Sequence, residues 1–101
     1  MFRKKRAGFP PLNDPQVVRL LRLATVDMNY GAVQELYTVY GTAAPADGLW
    51  DWWLDQAESL ARSGDRETVA LAIDFTRKAN VEPWGSLDSR HYDRMRAIEN
   101  L

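Results

Sequence analysis

Three groups of residues in this chain have types and spacings that could do chemistry. They are the single histidine His91, the carboxylates Asp51, Asp55 and Glu58, and the basic side chains at the front of the chain. A histidine can move protons near neutral pH or ligate a metal. His91 has no second histidine or cysteine to share an ion with, and on a helix its neighbour Asp93 would point about 200° away, so the two cannot chelate one ion. Asp51, Asp55 and Glu58 recur at three- and four-residue steps, which puts them on one helix face. Clustered carboxylates can bind a divalent cation or raise one another's pKa, but acids so spaced are ordinarily a solvated face. No glycine-rich phosphate loop, G-x-S-x-G elbow or H-E-x-x-H pair occurs in the sequence. The absence of cysteine removes thiol nucleophiles, redox relays, zinc fingers and disulfide scaffolds together. The expectation is a protein that is not an enzyme, with no catalytic residues, no metal site and no cofactor.

Nucleic-acid binding is the next chemistry to weigh. Arg3, Lys4, Lys5 and Arg6, with Arg19 and Arg22, are placed to contact phosphates, and Arg90 and Arg94 lie on a C-terminal helix that mimics the second half of a helix-turn-helix. Two features count against this. The connection over residues 80–88 exceeds the about three to four residues of that motif. Glu82, Asp88, Asp93 and Glu99 also cancel most of the local positive charge, and the sequence pI is about 5.7. DNA binding through the basic N-terminus and the last helix therefore stands as the alternative reading.

These residues need elements to position them, and the elements read as helices. The 101 residues, 46% of them apolar, fit one small domain with one core. The run after Arg6 is Ala7-Gly8-Phe9-Pro10-Pro11, not an apolar signal segment, and no apolar stretch approaches the ~20 residues of a membrane span. The expectation is a soluble cytoplasmic protein. Residues 1–12 read as a flexible basic tail and 13–101 as a single helical domain.

Asn13 or Asp14 caps a first helix with Pro15 in its opening turn, and Val17, Leu20, Leu21, Ala24 and Met28 form its apolar stripe. The phase breaks at Asn29-Tyr30-Gly31. A short second helix follows with Val33, Leu36, Tyr37 and Tyr40, ending at Gly41. A third runs from near Asp47 to Arg62 with Trp50, Trp53, Leu54, Ala57, Leu60 and Ala61 inward. Gly64 stops it and Asp65 caps a fourth, Arg66 to Ala79, which is apolar over a wide arc and belongs at the centre. A fifth, capped by Ser86 or Asp88, turns Leu87, His91, Tyr92, Met95 and Ile98 inward. The fold class is all-α: a compact bundle of about five short helices, with helices three and four as a tight hairpin. The pattern of Trp53, Gln56, Ala57, Leu60, Gly64, Asp65, Val69 and Ile73 resembles a degenerate tetratricopeptide hairpin over less than a third of the chain, departing from it at Gln56, Val69 and Ile73. What that resemblance implies is the geometry of an antiparallel helix pair.

Two departures from an ordinary small domain point to function. The formal charge of −1 divides into +5 over residues 1–22, −6 over residues 23–60 and zero beyond. Trp52 points roughly 140° away from the apolar stripe of its own helix, into the face shared by Asp51, Asp55 and Ser59. Either it is covered by the Phe9-Pro10-Pro11 segment or by helix one, or it is exposed and anchors a partner, since tryptophan is enriched among residues that dominate interfaces. The expected binding surface is Trp52 with Leu49, Asp51 and Asp55, and with Trp84 as a second anchor or a lid. The expected partner is another protein or a second copy of the chain. Arginine outnumbers lysine ten to three, a result of GC-rich coding, so a modulator of a host protein encoded by a phage or a high-GC bacterium is the setting this suggests.

Overall fold

The computed structural model describes residues 10–41, 49–79 and 87–101. In chain order the elements are α1 (Pro15–Thr25), α2 (Tyr30–Leu36), a π-helical turn (Tyr37–Gly41), α3 (Leu49–Arg62), α4 (Arg66–Ala79) and α5 (Ser89–Glu99). No strand occurs among the described residues.

The helix boundaries follow from the side chains at their ends. The Asp14 carboxylate accepts the Gln16 backbone N–H at 2.9 Å, and Pro15 opens α1 where its missing N–H leaves nothing unpaired. At the far end Thr25 is buried and its hydroxyl donates to the Leu21 carbonyl at 2.8 Å. The chain then reverses through Met28, a non-glycine residue in the left-handed region at φ 54°, and Asn29 caps α2 by accepting the Ala32 N–H at 3.2 Å. Between α3 and α4 the reversal belongs to Gly64 at φ 95°, a conformation that a Cβ would strain. Asp65 then accepts the Thr68 N–H at 3.2 Å. The cap expected at Asp47 lies outside the described residues. Asp88, and not Ser86, is the α5 cap, accepting the N–H groups of Arg90 at 3.0 Å and His91 at 3.2 Å.

α4 is the central helix. It packs against α1, α3 and α5, and its buried Val69, Leu71, Ala72, Ile73, Phe75 and Thr76 cover more of the circumference than one stripe. The Thr76 hydroxyl is satisfied within the helix by the Ala72 carbonyl at 2.7 Å, so a polar atom can sit there. Small residues on α3, Ala57 and Ala61, leave room for α4 to approach. Around Trp53, which is fully buried, stand Tyr40 at 5.3 Å and Trp50 at 5.7 Å edge-on, and Phe75 at 5.8 Å tilted. Those offsets match the arrangements aromatic quadrupoles prefer.

Three expectations change. Met28 is not part of the α1 stripe: the helix ends at Thr25 and Met28 is 69% exposed in the turn. Tyr92 is not inward, being exposed on α5 while Met95 and Ile98 are buried. Leu12 is fully buried, so the packed unit starts before residue 13.

Candidate functional site

The acidic face of α3 is met by α5. Arg94 donates to the Asp55 carboxylate and, at 3.2 Å, to Oε1 of Glu58. Arg62, one turn along α3, donates to the other Glu58 oxygen from Nε at 3.2 Å and Nη2 at 3.0 Å. These hydrogen bonds, from Arg62 first and Arg94 second, hold the Glu58 carboxyl below the usual range, and the bond from Arg94 to Asp55 pushes the guanidinium pKa up. His91 completes the row, with Nε2 3.2 Å from Oδ1 of Asp51. Its Nδ1 accepts the Asp88 backbone N–H at 3.1 Å, closing a capping box at the start of α5. With the hydrogen on Nε2, both ring nitrogens are therefore engaged. This commits the lone histidine to helix capping and interhelix docking. Among the described residues no group of three His, Cys, Asp or Glu is arranged to hold a metal ion.

The row makes the fold sensitive to acid. Glu58 is below its ordinary 4.5, Glu99 is lowered by its hydrogen bonds from Arg77, and at Asp88 desolvation is outweighed by bonds from Arg90 and the His91 backbone. A carboxyl depressed in the folded state binds fewer protons than it does unfolded, so stability is present above its ordinary pKa and is lost as pH falls toward the folded value. Urea midpoints are expected to be level from pH 7 to near 5 and to fall below about 4.5, with a shallower fall in Glu58→Gln. An unchanged slope in that variant would show that Glu58 contributes nothing to the acid transition.

Of the expected partner-binding residues, Asp51 and Asp55 are exposed but paired with α5, and Leu49 is 1% exposed, so it belongs to the core and offers no surface. Trp52 is half-buried. Its indole packs against the phenol ring of Tyr40 at a centroid distance of 6.0 Å. Tyr40 belongs to the π-helical turn, and Phe9 of one covering segment considered from the sequence lies outside the described residues. Tyr40 is itself tied to the start of the described chain, its hydroxyl donating to the Pro10 carbonyl at 2.9 Å. Burial, and secondarily Asp14, pushes the Tyr40 phenol pKa well above the usual value. Trp84 lies outside the described residues.

The basic candidates are largely spoken for. Arg22 on α1 pairs with Glu67 on α4, Arg90 pairs with Asp88 at 3.2 Å, and Arg94 is held by Asp55 and Glu58. Arg19 is exposed on α1. Arg3, Lys4, Lys5 and Arg6 lie outside the described residues, so no joint surface with Arg19 and Arg22 is defined.

A second surface lies at the α1–α2 corner. Val26, Met28 and Tyr30, within five residues of one another, are 65%, 69% and 72% exposed. Met28 and Tyr30 border a groove of about 250 Å³ with Val33, Tyr37 and Phe75 along it and Lys78 at its rim. Lys78 is anchored there by the Thr25 carbonyl at 3.2 Å and Asp74 at 3.1 Å. From sequence, Met28 counted as a core residue because it continued the α1 period. The signal that separates it is the helix stop before Asn29, where the period ceases to apply.

The fold and these two surfaces define a small five-helix all-α bundle with an internally neutralised acidic face and an apolar corner. Comparison with protein-family models, with curated proteins and with solved structures yields no match.

Proposed function

We propose that the protein is a small non-enzymatic protein–protein interaction module and that its contact surface is the α1–α2 corner. The observation that carries this is the grouping of Val26, Met28 and Tyr30 in water beside an apolar groove. Isolated exposed apolar side chains are common on monomers, but exposed apolar side chains that border a groove, as Met28 and Tyr30 do, are characteristic of a binding surface. Methionine adapts its shape to a partner, and tyrosine supplies a large rigid contact area. The left-handed Met28 lends further support, since strained backbone is retained where the surrounding structure and its use require it. The groove suits a partner segment that inserts one large apolar side chain. Small size and arginine-rich coding are in keeping with a modulator of a host protein in a phage or a high-GC bacterium.

The test compares affinity capture from the source cell by the wild type and by Tyr30→Lys, followed by titration of the purified captured protein. Tyr30 is exposed, so the variant is expected to fold with a stability within about 0.5 kcal/mol of the wild type. The expected result is a protein held by the wild type and at least tenfold more weakly by the variant. Equal retention by the two would overturn the corner as the contact surface. Loss of binding in Trp52→Ala alone would move it to α3.

A further inference from the structure

The way α5 sits on α3 shows what kind of helix the acidic face accepts. α5 buries only Met95 and Ile98. The rest of its attachment is polar: the largely buried His91 to Asp51, the half-buried Arg94 to Asp55 and Glu58, and, at the surface, Arg77 to Glu99 at 2.8 and 2.7 Å and Arg66 to the Leu101 carbonyl. The exposed pairs at Arg77 and Arg66 contribute little each. The rings of Tyr40, Trp50 and Phe75, which pack on Trp53, come from the π-helical turn, α3 and α4. Release of α5 is therefore a local opening that leaves the packing of α1 to α4 in place.

Release would uncover the acidic row of α3 together with the apolar seat of Met95 and Ile98. The matching ligand presents a base, a second base three residues on, and apolar side chains four and seven residues on, the spacing of His91, Arg94, Met95 and Ile98. A second copy of this chain carries that helix. The connecting positions 80–88 can reach roughly 30 Å when extended, comparable with the 26 Å short axis of the molecule. We propose that the acidic face of α3 is an interface for α5 of a second copy, the two copies exchanging this helix reciprocally. The exchanged contacts are the intramolecular ones, so the dimer requires no new surface and is favoured by concentration.

The test uses two full-length charge reversals, Asp55→Arg and Arg94→Glu. Within either variant α5 and α3 present like charges at this pair. In an equimolar mixture, opposite charges meet only when α5 of each variant docks on α3 of the other. The expected result is a species of twice the 11.6 kDa chain mass that appears on mixing and in neither variant alone. The wild type and the double variant on one chain, where the charges match again, are expected to populate the same dimer as concentration is raised, and a wild type that stays monomeric overturns the proposal. A mixture that stays monomeric overturns the proposal.

Should either reversal lose its helical circular dichroism, the cysteine-free sequence permits a gentler form, mixing Asp55→Cys with Arg94→Cys under oxidation. An excess of the mixed disulfide over the two like pairs supports exchange, and statistical proportions overturn it. The corner at α1–α2 is not involved in either pairing. A dimer that ignores the charge reversals and disappears in Met28→Lys would overturn exchange and assign self-association to the corner, so the two readings fail separately.

Discussion

Replacing Trp53 with alanine is expected to remove about 3–5 kcal/mol of stability, the range for truncating a large buried aromatic. Trp53 is 0% exposed and touches the rings of Tyr40, Trp50 and Phe75, which come from the π-helical turn, α3 and α4. Its loss leaves a cavity bordered by three elements, none of which can collapse into it without dragging a whole helix. For a domain whose total stability is about 5–15 kcal/mol this is a large fraction. Chemical denaturation is the measurement, with a fall in urea midpoint on the order of 2 M for a chain of this size. Trp52→Ala is the internal comparison. Its ring is only half-buried, packed on Tyr40, so its midpoint is expected to move less than half as far. A larger effect at Trp52 than at Trp53 would contradict this placement of the core.

Met95→Ala is expected to cost about 2–5 kcal/mol at the α5 seat and to show itself differently. Because Met95 and Ile98 are the buried residues of α5, removing one weakens the attachment of that helix out of proportion to its effect elsewhere. Hydrogen exchange is the discriminating measurement. Amides of α5 should lose protection most, while those of α4 around Ile73 and Phe75 retain protection set by opening of the remaining bundle. Equal loss of protection in α4 and α5 would show that the bundle opens as one unit and that α5 is no separate element.

Much of the helical architecture was legible because the determinants are local. Asp14 with Pro15, Gly64 with Asp65, and Asp88 are caps and stops whose action depends on a few neighbouring residues, and each acts as its type demands. The breadth of the α4 apolar arc likewise translated directly into three packing partners. Met28 and Tyr92 were misplaced for one reason. Periodicity assigns a face to every residue in register, but it does not say where the helix ends or how much of the face a neighbour covers. The π-helical turn was invisible because one inserted residue per turn leaves no compositional mark, although it carries Tyr40 onto both Trp52 and Trp53.

The sequence alone determined the all-α class, most helix limits, the absence of thiol chemistry and the division of charge into a basic front and an acidic middle, since each follows from residue type and short-range spacing. Tertiary structure alone decided what those charges face. Asp51, Asp55 and Glu58 read as an open acidic rim until α5 brings His91 and Arg94 against them from some 40 residues away. Trp52 is half-buried, with a ring from a different element packed on it. Val26, Met28 and Tyr30, three of the exposed apolar side chains, stand at the α1–α2 corner. Partner choice across a bundle depends on how helices dock and on where each one stops, and neither quantity is contained in the period of a single helix.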